Sequence, residues 1–248
     1  MIKLNCDMGE SFGIYKLGMD KEIMPYIEMA NLACGFHASD PVTMHKSVKL
    51  AKKYQVEIGC HPSYPDLIGF GRREMSCTVE EIVSIILYQL GALDAICKSY
   101  NREISYLKPH GALYNGMMRD IEIFRAIVKA VSKYNKSIKV MILSSSKNSL
   151  YAKIANRYGI SLLYELFADR AYRDSGLLVS RTEKGALLSH DEVLKRAEML
   201  FKKGVIETIN GRELKLEADT LCVHGDNKEA LDMIKSIFEI KPKDYQST

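Results

Sequence analysis

Four of the six histidines stand in short polar clusters that each directly follow an apolar, strand-like run. The clusters are Gly35-Phe36-His37, Cys60-His61-Pro62, Lys108-Pro109-His110-Gly111 and Val223-His224-Gly225-Asp226. Carboxylates recur in the same way, in Cys6-Asp7-Met8-Gly9-Glu10 after Ile2 to Asn5, and as Glu165 with Asp169-Arg170 after Ile160 to Tyr164. Imidazoles and carboxylates take up and return protons near neutral pH, and a fixed lysine or arginine stabilises charge developing on oxygen. Asp7, Glu10, His61, Lys108 and His110 are therefore the candidate catalytic groups. Asp7, His61 and His110 would also make a sensible carboxylate-plus-two-imidazole metal site. The histidines lack H-x-x-x-H or H-E-x-x-H spacing, so the sequence leaves a metal open. Asp7 and Glu10 could instead cap the next element, but a cap does not account for the whole cluster from Asn5 to Gly13. His45 and His190 fall in helical sequence and are left out.

For these groups to meet, the runs before them must share one end of a sheet. Short β-rich runs occur near 2 to 6, 30 to 34, 56 to 60, 104 to 108, 138 to 143, 160 to 165 and 219 to 223, separated by stretches long enough for helical crossovers. Such connections make parallel strands. The spacing predicts an α/β fold, a single-domain β/α barrel of seven strands with every polar cluster at its C-terminal mouth, where barrels place their active sites. An eighth strand, or a doubly wound open sheet, is the alternative. The open sheet would gather ligands at one switch point, whereas here polar clusters follow most of the strands. Helix starts agree. Asp40 before Pro41 reads as an N-cap, and Thr78-x-x-Glu81 and Ser189-x-x-Glu192 have capping-box form. From Val79 to Lys98 apolar residues recur at three- and four-residue steps, an amphipathic helix. Asn210-Gly211 between two short apolar runs predicts a hairpin inserted near 204–217. No linker marks a boundary, so one domain is expected over 1–248.

The chain carries 35 Lys+Arg against 31 Asp+Glu, a net charge of +4, with no long single-sign block, which argues against nucleic acid as a partner. No apolar stretch approaches the ~20 residues that span a bilayer, and the N-terminus carries no basic region or apolar signal core, so the expected location is the cytoplasm, away from membranes. The six cysteines form no C-x-x-C pair and read as reduced, packed thiols.

Six stretches together resemble the LamB/YcsF family. They are Asn5 to Gly13, Asn31 to Pro41, His61 to Asp66 with Gly69 to Arg73, Lys108 to Asn115, Glu165 to Tyr172, and Cys222 to Asp226. The likeness runs in order from Ile2 to about Ile234, with Ser39 where the family often has glycine. It implies a seven-stranded, deacetylase-like barrel that acts with 5-oxoprolinase subunits B and C to open 5-oxo-L-proline to L-glutamate at the expense of ATP, with magnesium at the level of the complex.

That chemistry asks for groups this sequence has. A five-membered lactam is resonance-stabilised, so hydrolysis needs activation, for instance phosphorylation of the amide oxygen. Water must then add, with Asp7, Glu10, His61 or His110 as its base, and Lys108 is well typed to meet the developing negative charge. The substrate carboxylate calls for a two-pronged donor, which Arg72, Arg73 or Arg170 could supply. His37, Glu165, Asp169 and His224 complete the expected substrate-binding set. There is no G-x-x-x-x-G-K-[ST] and no G-x-G-x-x-G, so any nucleotide contact must come from a less regular site or from a partner. Two other functions stay open: a metal-dependent amidohydrolase or carbohydrate deacetylase using the same rim, and a non-catalytic subunit that binds a small acid.

Overall fold

Parallel pairing follows directly from the helices between the strands. The computed structural model describes residues 2–180, 182–223 and 228–242. Strands β1 (Lys3–Met8), β2 (Met29–Ala33), β3 (Glu57–His61), β4 (Ile104–Leu107), β5 (Lys139–Leu143) and β6 (Leu162–Phe167) pair in chain order. Two further strands, β7 (Ile206–Glu207) and β8 (Glu213–Leu214), form a separate antiparallel pair flanking Asn210-Gly211. Strand β9 (Thr220–Cys222) then closes the barrel, with Thr220 opposite both Lys3 of β1 and Glu165 of β6. Among the described residues seven strands close the barrel, and neither the eight-stranded nor the open-sheet alternative holds.

The outer layer comprises α1 (Asp20–Ile23), α2 (Pro41–Tyr54), α3 (Val79–Ser99), α4 (Gly111–Arg119), α5 (Ile121–Tyr134), α6 (Asn148–Arg157), α7 (His190–Lys203) and α8 (Lys228–Ile240). Two of the expected starts can be checked atom by atom. Thr78 and Glu81 make the reciprocal capping box of α3. Asp40 caps α2, accepting from Val42 N at 2.8 Å and Thr43 N at 3.0 Å, and its other oxygen accepts from Gly13 N at 3.0 Å. These backbone donors, Thr43 first and then Gly13, hold the Asp40 carboxyl down to about 2. Asp40 thus ties the loop after β1 to the start of α2.

One expectation needs correction. Helix α3 is long and apolar enough, by length and composition, to cross a bilayer. Its composition serves the barrel. Ile82, Ile86, Leu90, Leu93 and Cys97 are buried, and mid-helix Gln89 exchanges hydrogen bonds with the Ser63 backbone at 2.9 and 3.0 Å. Strand boundaries lie within two residues of those expected, and at β6 both ends fall two residues later than the predicted 160 to 165. Ile160 N still donates to Ala155 O in the turn that ends α6, so the chain becomes extended only at Leu162.

Candidate active site at the barrel mouth

The C-terminal strand ends enclose a cavity of about 230 Å³ lined by Asp7, Glu10, His61, Lys108, His110 and Phe167, with Phe70, Arg72, Tyr114, Asn115 and Arg170 around it. Lys108 follows β4 and forms the floor. Its ammonium lies 2.8 Å from Glu165 Oε1, 3.1 Å from Asp7 Oδ1, 3.3 Å from Asn5 Oδ1 and 3.3 Å from Cys222 Sγ. Burial opposes the charged form, but Asp7 and Glu165 outweigh it and hold the Lys108 pKa well above the ordinary lysine value. A permanent cation therefore sits between two carboxylates at the base of the cavity. Glu165 is fully buried, and its second oxygen accepts from Tyr114 O–H at 2.8 Å.

Three histidines pack beside this floor. His37 stacks on His110 with ring centres 3.8 Å apart, and His61 stands edge-on to both. Backbone carbonyls fix two tautomers. His61 Nδ1 is 2.7 Å from Lys108 O and His110 Nε2 is 2.9 Å from Phe70 O, so each of these nitrogens carries the hydrogen. The remaining nitrogens, His61 Nε2 and His110 Nδ1, face one another at 3.0 Å. Asp7 Oδ2 lies 3.4 Å from His61 Nε2, and Glu10 Oε1 lies 3.6 Å from His110 Nδ1 and 3.3 Å from His37 Nε2. Burial, then His61, holds His110 down to about 3, and burial with His110 holds His37 well below its usual value. Neutral imidazoles and carboxylates converging in this way fit a divalent cation. Glu10, His37, His61 and His110 each bring one ligand atom within 4.8 Å of the others.

The loop that carries Phe70 depends on a glycine. Gly71 has φ +64°, and a Cβ there would lie 2.2 Å from Ser63 Oγ and 2.8 Å from His37 Cβ. Only glycine lets this loop press the Phe70 carbonyl onto His110. The turn after β1 is anchored by Asp20, whose Oδ2 accepts from Gly9 N at 2.9 Å. Burial raises the Asp20 carboxyl to about 6 despite that hydrogen bond. The folded chain thus holds this proton more tightly than the unfolded one. The group costs nothing below about pH 4, and its penalty grows as pH rises to about 6. Asp20→Asn keeps an acceptor for Gly9 and removes the penalty. It is expected to raise the thermal midpoint at pH 7.5 by a few degrees, about 1–3 kcal/mol, and to change nothing at pH 4. An equal shift at both pH values would exclude this titration as the cause.

The other expected residues divide. Arg72 and Arg170 reach the cavity, and Arg170 also donates to Val179 O at 2.7 Å. Arg73 turns outward, with its Nε 2.9 Å from Asp66 Oδ1. Asp169 does not line the cavity, and its backbone carbonyl receives Leu188 N at 3.0 Å. His37 lies behind His110, and Glu165 beneath Lys108. His224 lies outside the described residues. Tyr114 lines the cavity and donates its O–H to Glu165. Asn5 and Asn31, which open two of the family-like stretches but are not among the expected site residues, and Tyr106, which lies in none of them, meet in the barrel interior next to Asp7.

A closed seven-stranded parallel barrel with an acid–base cluster at its mouth defines a β/α-barrel enzyme class. The LamB/YcsF family model matches residues 2–245, and the chain belongs to that family. It is 52% identical over 237 residues to the 5-oxoprolinase A subunit of Vibrio cholerae, covering 95% of this chain and 96% of that one. It is 47% identical over 240 residues to the 5-oxoprolinase A subunit of Pyrococcus abyssi, covering 96% and 93%. The crystal structure of the lactam utilization protein from Thermus thermophilus superposes with a TM-score of 0.90 at 39% identity, over 96% of this chain and 95% of that one. A putative cellobiose-phosphate cleavage protein from Enterococcus faecalis, with a TM-score of 0.52 and 12% identity over 98% and 90% of the two chains, shares the fold alone.

Proposed function

We propose that this chain is the lactam-opening subunit of an ATP-dependent 5-oxoprolinase, converting 5-oxo-L-proline to L-glutamate in the cytoplasm together with subunits B and C. The observation that carries this reading is the Lys108 ammonium, buried between Asp7 and Glu165 on the floor of a cavity beside neutral imidazoles. In water such a charge would be screened; in this enclosed site it acts on oxygen at close range without reorganisation.

The chemistry divides between subunits. ATP with magnesium, bound at the level of the complex, activates the lactam by phosphorylating its amide oxygen, and this chain has no phosphate-cradling motif for that step. Water then adds to the activated carbon and gives its proton to Asp7 or to a neighbouring imidazole, while Lys108 meets the negative charge of the phosphoryl group on the former carbonyl oxygen. The C–N bond breaks as the ring nitrogen takes a proton from the same acid–base set, which leaves an acyl phosphate, and a second water cleaves that to inorganic phosphate and the second carboxylate of glutamate. Arg72 and Arg170, the two arginines that reach the cavity, hold the substrate's carboxylate.

A second reading is favoured by one observation, the converging ring nitrogens of His61 and His110 with Glu10 and Asp7 beside them. These residues, with His37, would hold a divalent cation, which when bound polarises a carbonyl or lowers the pKa of water. A metal-dependent amidohydrolase would need no ATP. The test is to mix the purified chain with 5-oxoproline, ATP and a magnesium salt, then repeat with subunits B and C, and with a chelator. The isolated chain is expected to release no glutamate, and the complete set to form glutamate and ADP in equal amounts. Stoichiometric turnover by the chain alone would overturn the multi-subunit reading. Glutamate release without ATP, abolished by the chelator, would move the assignment to the amidohydrolase.

A further inference from the structure

The interiors of parallel barrels are usually filled with layers of branched apolar side chains. Beside Asp7 this one carries polar groups, and the register shows why they meet. Asp7 of β1 pairs with Asn31 of β2, Asn31 with Gly59 of β3, and Gly59 with Tyr106 of β4, so the four form one lateral row across adjacent strands. Gly59 is the gap in that row. A Cβ there would lie 2.1 Å from Tyr106 Cε2, so the Tyr106 ring crosses the space a side chain would occupy and reaches Asn31.

Asn31 is fully buried and uses its whole amide. Its Nδ2 donates to Asp7 Oδ1 and to Asn5 Oδ1, each at 2.8 Å, and its Oδ1 accepts from Tyr106 O–H at 2.7 Å. A flipped amide would set its oxygen against two other oxygens and its NH2 against the phenol, so the orientation is fixed. With Asp7 Oδ1 held from below by Asn31 and by Lys108 at 3.1 Å, the other oxygen faces His61 and the cavity. We infer that Asn31 is the positioning residue of Asp7, locked by the Tyr106 hydroxyl through the gap at Gly59. This rests on the reading of Asp7 as part of the reacting set. Neither residue touches the cavity, so neither acts on substrate itself.

The experiment is a double-mutant cycle in the complex reconstituted with subunits B and C, paired with crystal structures of the variants. Asn31→Ala is expected to lower kcat by ~10–100-fold, the usual effect of losing a group that orients a reacting one, with KM for 5-oxoproline within about threefold. In an Asp7→Asn background the same substitution is expected to cost less than about threefold, because there is no longer a carboxylate to hold. Tyr106→Phe, which keeps the ring in its slot, is expected to lose ~3–10-fold by the same route, and it carries the test if Asn31→Ala does not fold. Equal losses in both backgrounds would mark a structural role and overturn the inference. Full activity of folded Asn31→Ala would do the same. An Asp7 carboxylate that keeps its orientation in the Asn31→Ala or Tyr106→Phe crystal structure overturns the inference whatever the activity. A wild-type complex that never turns over 5-oxoproline sinks the functional reading instead, and the crystal structures still decide the positioning role.

Discussion

Asp7→Asn should lower glutamate formation by the reconstituted enzyme at least ~10²-fold, the lower range for loss of a positioned acid–base group, while the chain stays folded. Asparagine matches aspartate in size, and the site can accept it. Lys108 keeps Glu165 at 2.8 Å, so no buried cation is stranded. Chemistry is lost because the group that faces His61 Nε2 at 3.4 Å would no longer carry the charge needed to take a proton from water or to complete the cluster of acceptors. The measurements are kcat/KM for 5-oxoproline and the thermal midpoint, which should move by no more than a few degrees. A folded variant with the wild-type rate would remove Asp7 from the mechanism, whereas an unfolded one would make its role structural.

The architecture is legible because a parallel barrel writes itself into sequence twice, as apolar runs at crossover spacing and as polar clusters just after them. Both patterns come from single elements, so they survive without knowledge of partners. What the sequence withholds depends on directions that neighbouring residues do not share. Arg72 and Arg73 are adjacent, yet one reaches the cavity and the other turns out to Asp66. His37 reads in sequence as a rim residue like His61 and His110, but its ring is stacked behind His110. Asn31 sits inside the apolar run Met29–Ala33, where it resembles a tolerated exception in a buried strand. A lone asparagine in such a run is itself a signal, since a buried amide requires partners, and here they are Asn5, Asp7 and Tyr106 from other strands. Gly59 reads as a weak strand residue in sequence and becomes informative only once Tyr106 is seen lying across it.

Lys108 shows the same limit with a larger energetic consequence. Read as a rim residue it would be removable at little cost to stability. In the structure it is 3% exposed and is paired with Glu165, which is 0% exposed. Removing one member of a buried pair strands the other charge, at a cost of about 3–5 kcal/mol. Lys108→Met should therefore lower the thermal midpoint at pH 8 by roughly 10 °C for a chain of this size, besides reducing activity at least ~10²-fold. The sign of the pH dependence follows from the stranded carboxylate. Without its cation, an ionised Glu165 is a buried charge with its partner gone, so the variant is expected to be less impaired at pH 5 than at pH 8. Adding Glu165→Gln removes that charge and leaves an amide oxygen to accept from Tyr114 O–H. The double variant should recover most of the midpoint at pH 8 and none of the activity, because the ammonium that meets the lactam oxygen is still missing. Thermal unfolding at pH 5 and pH 8, with turnover in the complex, separates the two roles. A single variant as stable as wild type at pH 8 would show that Lys108 does not hold Glu165. A double variant that regained turnover would remove the ammonium from the chemistry and leave Lys108 as a structural counter-ion.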